Sequence, residues 1–517
     1  MRWTVPGDET ELDPQFAREL GQLGTGNLLA RPGSTLLKER ATKEVVALSL
    51  AGRDVVIKRT RSGRRRTHNE WNLLVEAHGL GIAVPEPIAL GEQANSVWII
   101  QERVPSHGDL DTLFWRPPTT FQQLLTGPTV RQEIAQTLGK ALRTWHDAGL
   151  EHTDLHAGNL LLSGTPGNWT PTLIDLDGAQ ILGIPLPEKK RLTNLAVLNR
   201  FFFRVTPRSE RLRFLRAYLD SDVSDEKIRS WARQIERGAY KGARRLWSRR
   251  RPWCYRENRR FSTLRCEDLT GFLDREYRDW GFLDRLETLD EWMDSEDVIA
   301  VLKDSRSARV VRLADPKTGK ELVLKRSNFR PKKTAGALFQ DSKAMRAWRG
   351  AWALRQRQVP IARPLAVLER HRTGLLVNAY VVTLAVPNAL GLDHDLARRC
   401  DNRQELICAT ARLVRDLHVN LGLAHGDLKP ANILVSRDDS GAPTLVPIDL
   451  EGIAREKKAT RDRRVADLSR LARSFLRKRS VSRTEFLRFL RTYLGPGPVD
   501  RETWKLWWQR VSRATPP

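Results

Sequence analysis

The chain has 517 residues and a mass of 59.1 kDa, which exceeds one ordinary domain and predicts two or more. A hydrophobic content of 40% supplies material for packed cores and excludes wholesale disorder. The formal net charge of +26 favours anionic partners: an acidic membrane face, phosphorylated or carboxylated substrates, or nucleic acid. General solubility of an arginine-rich protein explains the same excess, so charge alone selects no partner.

The chain contains four cysteines, Cys254, Cys266, Cys400 and Cys408. They form no C-x-x-C pair and have no histidine at metal-binding spacing, which argues against zinc and disulfides and fits a reducing compartment. The N-terminal stretch MRWTVPGDETELDPQF lacks the apolar core of a secretory signal. The longest charge-free run, residues 374–392, contains Asn378, Pro387 and Asn388 and is better explained as two strands than as a membrane span. These features predict a cytoplasmic protein.

The first clear elements are two strands in residues 45–60, VVALSLAGRDVVIKRT, where apolar and polar residues alternate around a Gly-Arg-Asp turn. Lys58 stands near the end of the second strand. Residues 68–90 then predict a Leu-rich helix containing Glu70, followed by a V-P-x-P turn. Helical periodicity dominates further along, as in residues 134–150, IAQTLGKALRTWHDAGL. This order predicts a small strand-rich lobe followed by a larger helical lobe.

A polar core occurs twice in the chain, as EHTDLHAGNLLL in residues 151–162 and as AHGDLKPANILV in residues 424–435. Asp154 and Asp427 are the matching acidic residues, 273 positions apart. Other segments follow nearly the same offset: VVIKR (55–59) with LVLKR (322–326), and NLAVLNRFF (194–202) with DLSRLARSF (467–475). Self-similarity over this length indicates the tandem duplication of one domain-sized unit.

The duplication predicts a first domain over residues 20–245 and a second over residues 296–517. Between them we expect a basic aromatic connector, residues 246–295. Its beginning overlaps GARRLWSRRRPWCYRENRRF (242–261), which is too charged and too aromatic for a flexible linker. A solvated helix or loop that docks the domains is favoured there over a patch for nucleic acid or acidic lipid.

The repeated core has the form His-x-Asp-x-x-x-x-Asn, and a second aspartate follows an apolar strand in each copy. This aspartate is Asp175 in TLIDLDG and Asp449 in VPIDLEG, and a lysine ends an upstream strand as Lys58 or Lys325. Phosphoryl transfer needs a carboxylate near the attacking hydroxyl, an amide and a carboxylate for Mg²⁺, and a cation on the nucleotide phosphates. Mg²⁺ prefers hard oxygen ligands, which explains Asn and Asp in place of Cys and His.

This constellation resembles the protein-kinase-like fold, with HTDLHAGN and HGDLKPAN like its catalytic loop and DLDG and DLEG like its metal-binding segment. The helix and turn of residues 68–90, and their counterpart in residues 344–367, resemble the bacterial lipopolysaccharide kinases that phosphorylate Kdo and heptose sugars. Aminoglycoside, choline and RIO-type kinases share part of the pattern. The resemblance implies an α+β fold of two tandem kinase-like domains, each with a small β-rich N-lobe and a larger helical C-lobe.

The resemblance also implies roles for residues of the first domain. Lys58 would hold the nucleotide phosphates and Glu70 would orient it through an ion pair. Asp154 would accept the proton of the substrate hydroxyl, while Mg²⁺ would be held by Asn159 and Asp175. His152 is expected to brace the loop, and His146 and His418 are expected in the cores.

The second domain carries the matching residues Lys325, His425, Asp427, Asn432 and Asp449, with Asn432 and Asp449 as the implied Mg²⁺ ligands. It lacks the glutamate, because the position equivalent to Glu70 is Ala347 and no acidic residue lies between Asp341 and Pro364. Lys325 therefore lacks the usual ion pair, is positioned by Asp341, or belongs to a domain that binds nucleotide without turnover. Lys429 can contact the transferring phosphate, where the first domain has His156. The two domains are therefore expected to differ in activity.

Neither domain has a convincing glycine-rich loop, since GQLGTGN (21–27) is weak and KDSRSARVVRL (303–313) offers Arg306 or Arg309 instead. The predicted function is ATP- and Mg²⁺-dependent phosphoryl transfer to a sugar hydroxyl of a lipopolysaccharide-type glycolipid, with the basic chain peripheral to an anionic membrane face. Nucleic acid is the less favoured partner. The alternatives are a protein or small-molecule kinase, and a pseudokinase scaffold that binds anionic partners.

Overall fold

The computed structural model describes residues 2–6, 13–23, 28–40, 42–93, 95–115, 117–125, 127–220, 222–328, 341–398, 403–437, 441, 443–455, 459–478, 481–495 and 501–515. Cys400 and part of the weak glycine-rich segment 21–27 lie outside these residues. The other three cysteines are free thiols. The chain divides into two compact units, Met1–Arg245 and Leu246–Pro517, called unit 1 and unit 2 below.

Unit 1 begins with a six-stranded antiparallel sheet in the order β1-β5-β6-β4-β3-β2. Its strands are β1 (Arg2–Thr4), β2 (Thr35–Arg40), β3 (Lys43–Leu50), β4 (Arg53–Thr60), β5 (Pro87–Gln93) and β6 (Ser96–Glu102). The helices in this part are α1 (Pro14–Leu23) and α2 (Arg64–Gly79). The predicted strand pair of residues 45–60 therefore corresponds to β3 and β4.

The rest of unit 1 is mainly helical, as expected for the larger lobe. Its helices are α3 (Leu110–Trp115), α4 (Thr119–Leu125), α5 (Pro128–Asp147), α6 (Glu188–Val205), α7 (Arg208–Leu219) and α8 (Asp225–Arg250). Its short strands are β7 (Gly108–Asp109), β8 (Leu150–His152), β9 (Leu160–Thr165), β10 (Asn168–Leu173) and β11 (Ala179–Ile181). The repeated loop lies between β8 and β9, and β10 leads directly to Asp175.

Unit 2 begins with a seven-stranded antiparallel sheet in the order β12-β13-β17-β18-β16-β15-β14. Its strands are β12 (Phe261–Cys266), β13 (Leu269–Asp274), β14 (Val298–Ser305), β15 (Ala308–Ala314), β16 (Glu321–Asn328), β17 (Pro364–Arg372) and β18 (Leu375–Leu384). The helices in this part are α9 (Leu289–Trp292) and α10 (Lys343–Gln356).

The predicted connector of residues 246–295 differs from the structure, because β12 and β13 of this stretch are strands of the unit 2 sheet. Phe261, Leu269 and Leu273 are buried there, and β13 pairs with β17. Gly271 permits this pairing, since a Cβ at that position would lie 1.9 Å from the carbonyl oxygen of Val367. The many arginines around these strands hide their apolar alternation from a reading based on composition.

The remainder of unit 2 repeats the helical part of unit 1. Its helices are α11 (Leu392–Arg398), α12 (Arg403–Arg415), α13 (Arg461–Lys478), α14 (Arg483–Leu494) and α15 (Arg501–Arg513), and its short strands are β19 (Leu390–Gly391), β20 (Ile433–Arg437) and β21 (Pro443–Pro447). The charge-free run of residues 374–392 contains β18 and β19, in agreement with the strand interpretation. No described helix is both long and apolar enough to cross a membrane.

Helix α2 shows why the sequence folds in this way near the site. Its buried residues recur at helical spacing and form one face of the helix: Thr67, Glu70, Trp71, Leu74 and Ala77. A glutamate on that face is held inside the protein, so burial is favourable only if a cation meets it. The neighbouring strand β4 supplies that cation.

Candidate active site

Strand β4 places Lys58 opposite Glu70 in unit 1. Ile57 points into the core and is fully buried, so its neighbour Lys58 points to the other face of the sheet. Lys58 Nζ donates hydrogen bonds to Glu70 Oε1 at 2.8 Å and to the backbone oxygen of Ile174 at 2.9 Å. Lys43 Nζ contacts the other carboxylate oxygen of Glu70 at 3.0 Å. The predicted ion pair between Lys58 and Glu70 is therefore present in the structure.

The charges of this cluster stabilise one another. Burial lowers the pKa of Lys58, but Glu70 and Asp175 outweigh it and hold the pKa above its usual value. Burial raises the pKa of Glu70, but Lys58 and Lys43 hold it below its usual value. The same two lysines outweigh burial and lower the pKa of Asp175. All three side chains are charged at neutral pH, as phosphate and metal binding require.

The repeated loop of unit 1 is held against the strand that carries Asp175. His152 is 1% exposed, and its Nε2 lies 2.6 Å from the backbone oxygen of Asp175. The backbone N–H of Asp154 donates to His152 Nδ1 at 3.1 Å, which makes His152 a neutral ring that donates from Nε2. These contacts are those of a brace, in line with the prediction for His152.

Asn159 and Asp175 lie side by side because the backbone N–H of Ile174, the residue before Asp175, donates to the backbone oxygen of Asn159 at 3.0 Å. Asn159 Nδ2 donates to the backbone oxygen of Asp154 at 3.2 Å. The amide oxygen of Asn159 and the carboxylate of Asp175 are then the hard oxygen donors that Mg²⁺ prefers, with phosphate oxygens and water as its other ligands. The donor set therefore fits Mg²⁺, and these two residues would hold it.

Asp154 is the carboxylate of this site that is open to a substrate. Its side chain is 66% exposed, and its nearest cationic candidate is His156, whose Nε2 lies 3.8 Å away. Burial lowers the pKa of His156, so its ring is neutral at pH 7 and leaves the Asp154 carboxylate without a paired charge. Such a carboxylate can accept a proton from a hydroxyl group.

Lys325 of unit 2 has different partners. Its Nζ contacts Asp449 Oδ1 at 2.8 Å and Glu451 Oε1 at 3.0 Å. Asp341 instead pairs with Arg349, so positioning of Lys325 by Asp341 is wrong. Lys325 lacks the usual ion pair with a glutamate of the helix, as one alternative predicted, but it pairs with two other carboxylates. Burial lowers the pKa of Lys325, but Asp449 and Glu451 hold it above its usual value. The acidic partner that helix α10 lacks is thus supplied by the D-L-E-G segment.

A close backbone contact explains why the D-L-E-G segment reaches Lys325. The 3₁₀ turn Leu450–Arg455 packs on α10 where Gly350 has no side chain, and a Cβ at Gly350 would lie 2.3 Å from the backbone oxygen of Leu450. Asp449 enters this turn in the left-handed region with φ 58°, whereas Asp175 of unit 1 does not. The D-L-D-G segment of unit 1 and the D-L-E-G segment of unit 2 therefore differ in backbone conformation as well as in their contacts with the lysine.

The repeated loop of unit 2 is also more strongly paired than that of unit 1. Asp427 Oδ2 accepts from Lys429 Nζ at 3.0 Å and from Asn432 Nδ2 at 3.2 Å. His425 is buried and its Nε2 lies 3.0 Å from the backbone oxygen of Ile448. Burial lowers the pKa of His425, so its ring is neutral. Lys429 thus contacts the catalytic-loop carboxylate itself in this structure.

One pair of supporting residues was not singled out in the sequence. Asn194 of unit 1 accepts the backbone N–H of His152 at 2.9 Å, and Asp467 of unit 2 accepts that of His425 at 2.7 Å. Asp467 also lies 3.2 Å from His418 Nε2. His146 and His418 are buried, as predicted. The signal was present, since Asn194 and Asp467 begin two of the matching segments.

Arg309 is not available for phosphates in the way the sequence suggests. Its guanidinium pairs with Asp294 and with Asp304 in unit 2. The charge of Arg309 is therefore already balanced by two carboxylates.

Comparison with known proteins shows which family the chain resembles in sequence. The sequence model of the lipopolysaccharide kinase (Kdo/WaaP) family matches residues 53–218 and 291–493, which together make up more than half of the chain. The chain belongs to this family. One match lies in each unit, which confirms the predicted duplication and the kinase-like α+β fold.

Individual relatives are more distant. The chain is 28% identical to a 3-deoxy-D-manno-octulosonic acid kinase of Vibrio cholerae over 118 residues, and 30% identical to one of Haemophilus influenzae over 112 residues. Each match covers 22% of this chain and spans 44% of the relative. A solved structure titled "WaaP in complex with acyl carrier protein" is 21% identical, with 47% of this chain and 99% of that chain covered and a TM-score of 0.35.

Proposed function

We propose that the protein is an ATP- and Mg²⁺-dependent phosphotransferase whose acceptor is a sugar hydroxyl of a lipopolysaccharide-type glycolipid. The observation that carries the proposal is the arrangement in unit 1. Glu70 neutralises Lys58 from helix α2, and this leaves the carboxylate of Asp175 for a metal beside the exposed carboxylate of Asp154. Family membership supports the kinase chemistry and the class of acceptor.

The residues of unit 1 then divide the work of the transfer. ATP with Mg²⁺ supplies the phosphoryl group and balances the charge of its phosphates. Lys58 Nζ would contact the phosphates, and Glu70 holds the lysine in place. Asp154 would accept the hydroxyl proton of the acceptor, while Asn159 and Asp175 would hold the metal.

For unit 2 we propose nucleotide binding with a smaller share of turnover. Lys325 occupies Oδ1 of Asp449 at 2.8 Å, so metal binding there competes with an ion pair that unit 1 lacks. Asp427 Oδ2 is contacted by Lys429 Nζ at 3.0 Å, so an acceptor hydroxyl would compete with this ion pair for the carboxylate. These contacts are the observation that favours a scaffold-like role for unit 2.

The net charge of +26 supports peripheral binding to an anionic membrane face, where a glycolipid acceptor would be presented. Binding to phosphatidylglycerol vesicles measures this electrostatic membrane binding separately from phosphoryl transfer. We expect binding to such vesicles to weaken steeply with salt while turnover of a deacylated acceptor does not. Salt-independent vesicle binding would contradict the electrostatic explanation.

Single substitutions in the full chain test the proposed division of labour. With Mg²⁺, ATP and a deacylated lipopolysaccharide core glycan, we expect Asp154→Ala to lower turnover about 10²- to 10⁴-fold, the range for loss of acid–base catalysis. Asp427→Ala is expected to cost less than about tenfold. Equal losses, or a loss with Asp427→Ala alone, would show that the ranking of the units is incorrect.

Two further measurements address activity and acceptor separately. Mg²⁺-dependent ATP consumption that is abolished by Asp175→Ala is expected for an enzyme, and its absence from the wild-type protein would favour the scaffold. Mass spectrometry of lipid-linked glycans from a deletion strain and its parent is expected to reveal one missing phosphate. An unchanged phosphate count would exclude the lipopolysaccharide acceptor.

A further inference from the structure

A pocket of 430 Å³ in unit 2 lies beside Asp427 and contains three arginines, Arg346, Arg463 and Arg470. Its lining also includes the carboxylates of Asp449, Glu451 and Asp467. Asp427 matches Asp154, the residue of unit 1 proposed to accept the hydroxyl proton of the acceptor. A group bound among the arginines would therefore belong to the acceptor.

The carboxylates of this pocket already have partners. Asp449 and Glu451 contact Lys325, and Asp427 contacts Lys429. Asp467 is 1% exposed and accepts the backbone N–H groups of His425 and Gly426 at 2.7 and 2.9 Å. Arg346 lies 4.0 Å from Glu451, so the positive charge left for an anion is that of Arg463 and Arg470.

Unit 1 provides an internal comparison for Arg463. Arg191 Nε donates to the oxygen of Leu186 at 2.6 Å, and Arg464 Nε donates to that of Ala459 at 2.8 Å, so α6 and α13 match residue by residue here. Arg463 thus corresponds to Lys190. In unit 1 the charge of Lys190 is neutralised by Glu151.

Unit 2 has no carboxylate at the position that matches Glu151. Glu151 corresponds to Ala424, which lines the pocket, and within the described part of the chain Arg463 makes no ion pair. About two turns further along the helix, Val197 of unit 1 corresponds to Arg470. The side chain of Arg470 is 46% exposed, and among the described residues it contacts a carboxylate only at Asp467, at 3.8 Å. The absence of the Glu151 carboxylate and the presence of Arg470 therefore make this part of unit 2 more positive than unit 1.

We infer that this pocket binds a phosphate monoester on the acceptor of unit 2, and that Arg463 and Arg470 select an already phosphorylated sugar. The inference rests on the proposed function, because Asp427 marks the acceptor side of the site. Two guanidinium groups suit a phosphate group, since each can donate two parallel hydrogen bonds to its oxygens. Unit 1, with Lys190 neutralised, is expected to take an acceptor without that phosphate.

The test is calorimetric titration of the full chain with glucose 6-phosphate and with glucose, in the presence of ADP and Mg²⁺ to occupy the nucleotide side. We expect glucose 6-phosphate to bind at least about tenfold more tightly than glucose. Arg463→Gln combined with Arg470→Gln is expected to remove this difference. Arg412→Gln, an exposed arginine on α12 of the same unit, is the control and is expected to change nothing.

A second variant keeps the inference testable without deleting an arginine. Ala424→Glu restores the carboxylate that unit 1 has, and it is expected to pair with Arg463 and weaken glucose 6-phosphate binding by a similar factor. Vesicles of phosphatidylcholine with and without phosphatidic acid distinguish the source of the phosphate. Arginine-dependent binding to the acidic vesicles alone assigns it to a lipid-linked acceptor, and arginine-dependent binding to glucose 6-phosphate assigns it to a soluble one.

Equal affinity for both sugars with no arginine-dependent vesicle binding would overturn the inference. So would phosphate binding that survives both Arg463→Gln and Arg470→Gln. Failure of the proposed function is a separate result, because it appears as absent ATP turnover while these binding differences persist.

Discussion

Replacing Glu70 by glutamine tests the buried ion pair of unit 1. The Glu70 side chain is 5% exposed and contacts both Lys58 and Lys43, at 2.8 and 3.0 Å. Glutamine keeps the shape and removes the charge, so two lysines lose their carboxylate inside the protein. Breaking a buried pair in this way costs about 3–5 kcal/mol. Lys58 keeps its bond to Ile174 and its attraction to Asp175, so we expect the lower end, about 3 kcal/mol.

Hydrogen exchange measured by mass spectrometry reports this loss within unit 1. A loss of about 3 kcal/mol corresponds to a roughly 100-fold increase in the opening of peptides from β4 and α2. Scanning calorimetry should show the unit 1 transition lowered by about 6–12 °C, since a domain of this size shifts by about 2–4 °C per kcal/mol. Exchange in the peptides of unit 2 should not change.

The matching change in unit 2 is Glu451→Gln. The side chains of Lys325 and Glu451 are 26% and 22% exposed, and Asp449 still contacts the lysine, so we expect a loss of about 1 kcal/mol or less. Glu76→Gln, on the exposed side of α2, is the control and should stay within about 0.5 kcal/mol. A negligible effect of Glu70→Gln, or equal effects of Glu70→Gln and Glu451→Gln, would refute the reasoning.

Two other predictions concern stability. Burial lowers the pKa of His146 to about 4, so the folded unit 1 binds fewer protons than the unfolded chain between about pH 4 and 6.5. The contribution of His146 to the free energy of unfolding is therefore complete above pH 6.5 and falls by up to about 3 kcal/mol toward pH 4. Denaturation of His146→Gln over this range should show a free energy of unfolding that depends less on pH. An unchanged pH dependence would contradict the assignment of this effect to His146. Gly350→Ala places a methyl group 2.3 Å from the oxygen of Leu450, and we expect a loss of about 1–3 kcal/mol in unit 2 by the same exchange measurement, whereas a stabilised protein would show that α10 and the turn can separate freely.

The elements near the site were predictable where local spacing carries the information. Alternation predicts β3 and β4 and thereby places Lys58 on one face of a strand. Helical spacing puts Glu70 on the buried face of α2, and the repeated loop carries Asp154 and Asn159 at a fixed separation. The duplication can be recognised by comparing the two halves of the sequence with each other.

The strands of residues 246–295 were less accessible. β13 pairs with β17, where Leu269 lies opposite Arg370, and the charge-rich composition suggested a connector. The support of His152 by Asn194 is likewise a contact over 42 positions. Such contacts depend on packing between elements, which spacing along the chain does not encode.

By itself, the sequence determined the duplicated kinase-like plan, because strands, helices and the catalytic loop follow from short-range patterns. Only the tertiary structure decided how the two copies differ at the lysine. Glu70 reaches Lys58 across 12 positions, whereas Glu451 reaches Lys325 across 126. The second contact exists because Gly350 lets the turn after Asp449 approach α10, a steric condition that appears only when distant segments are packed together.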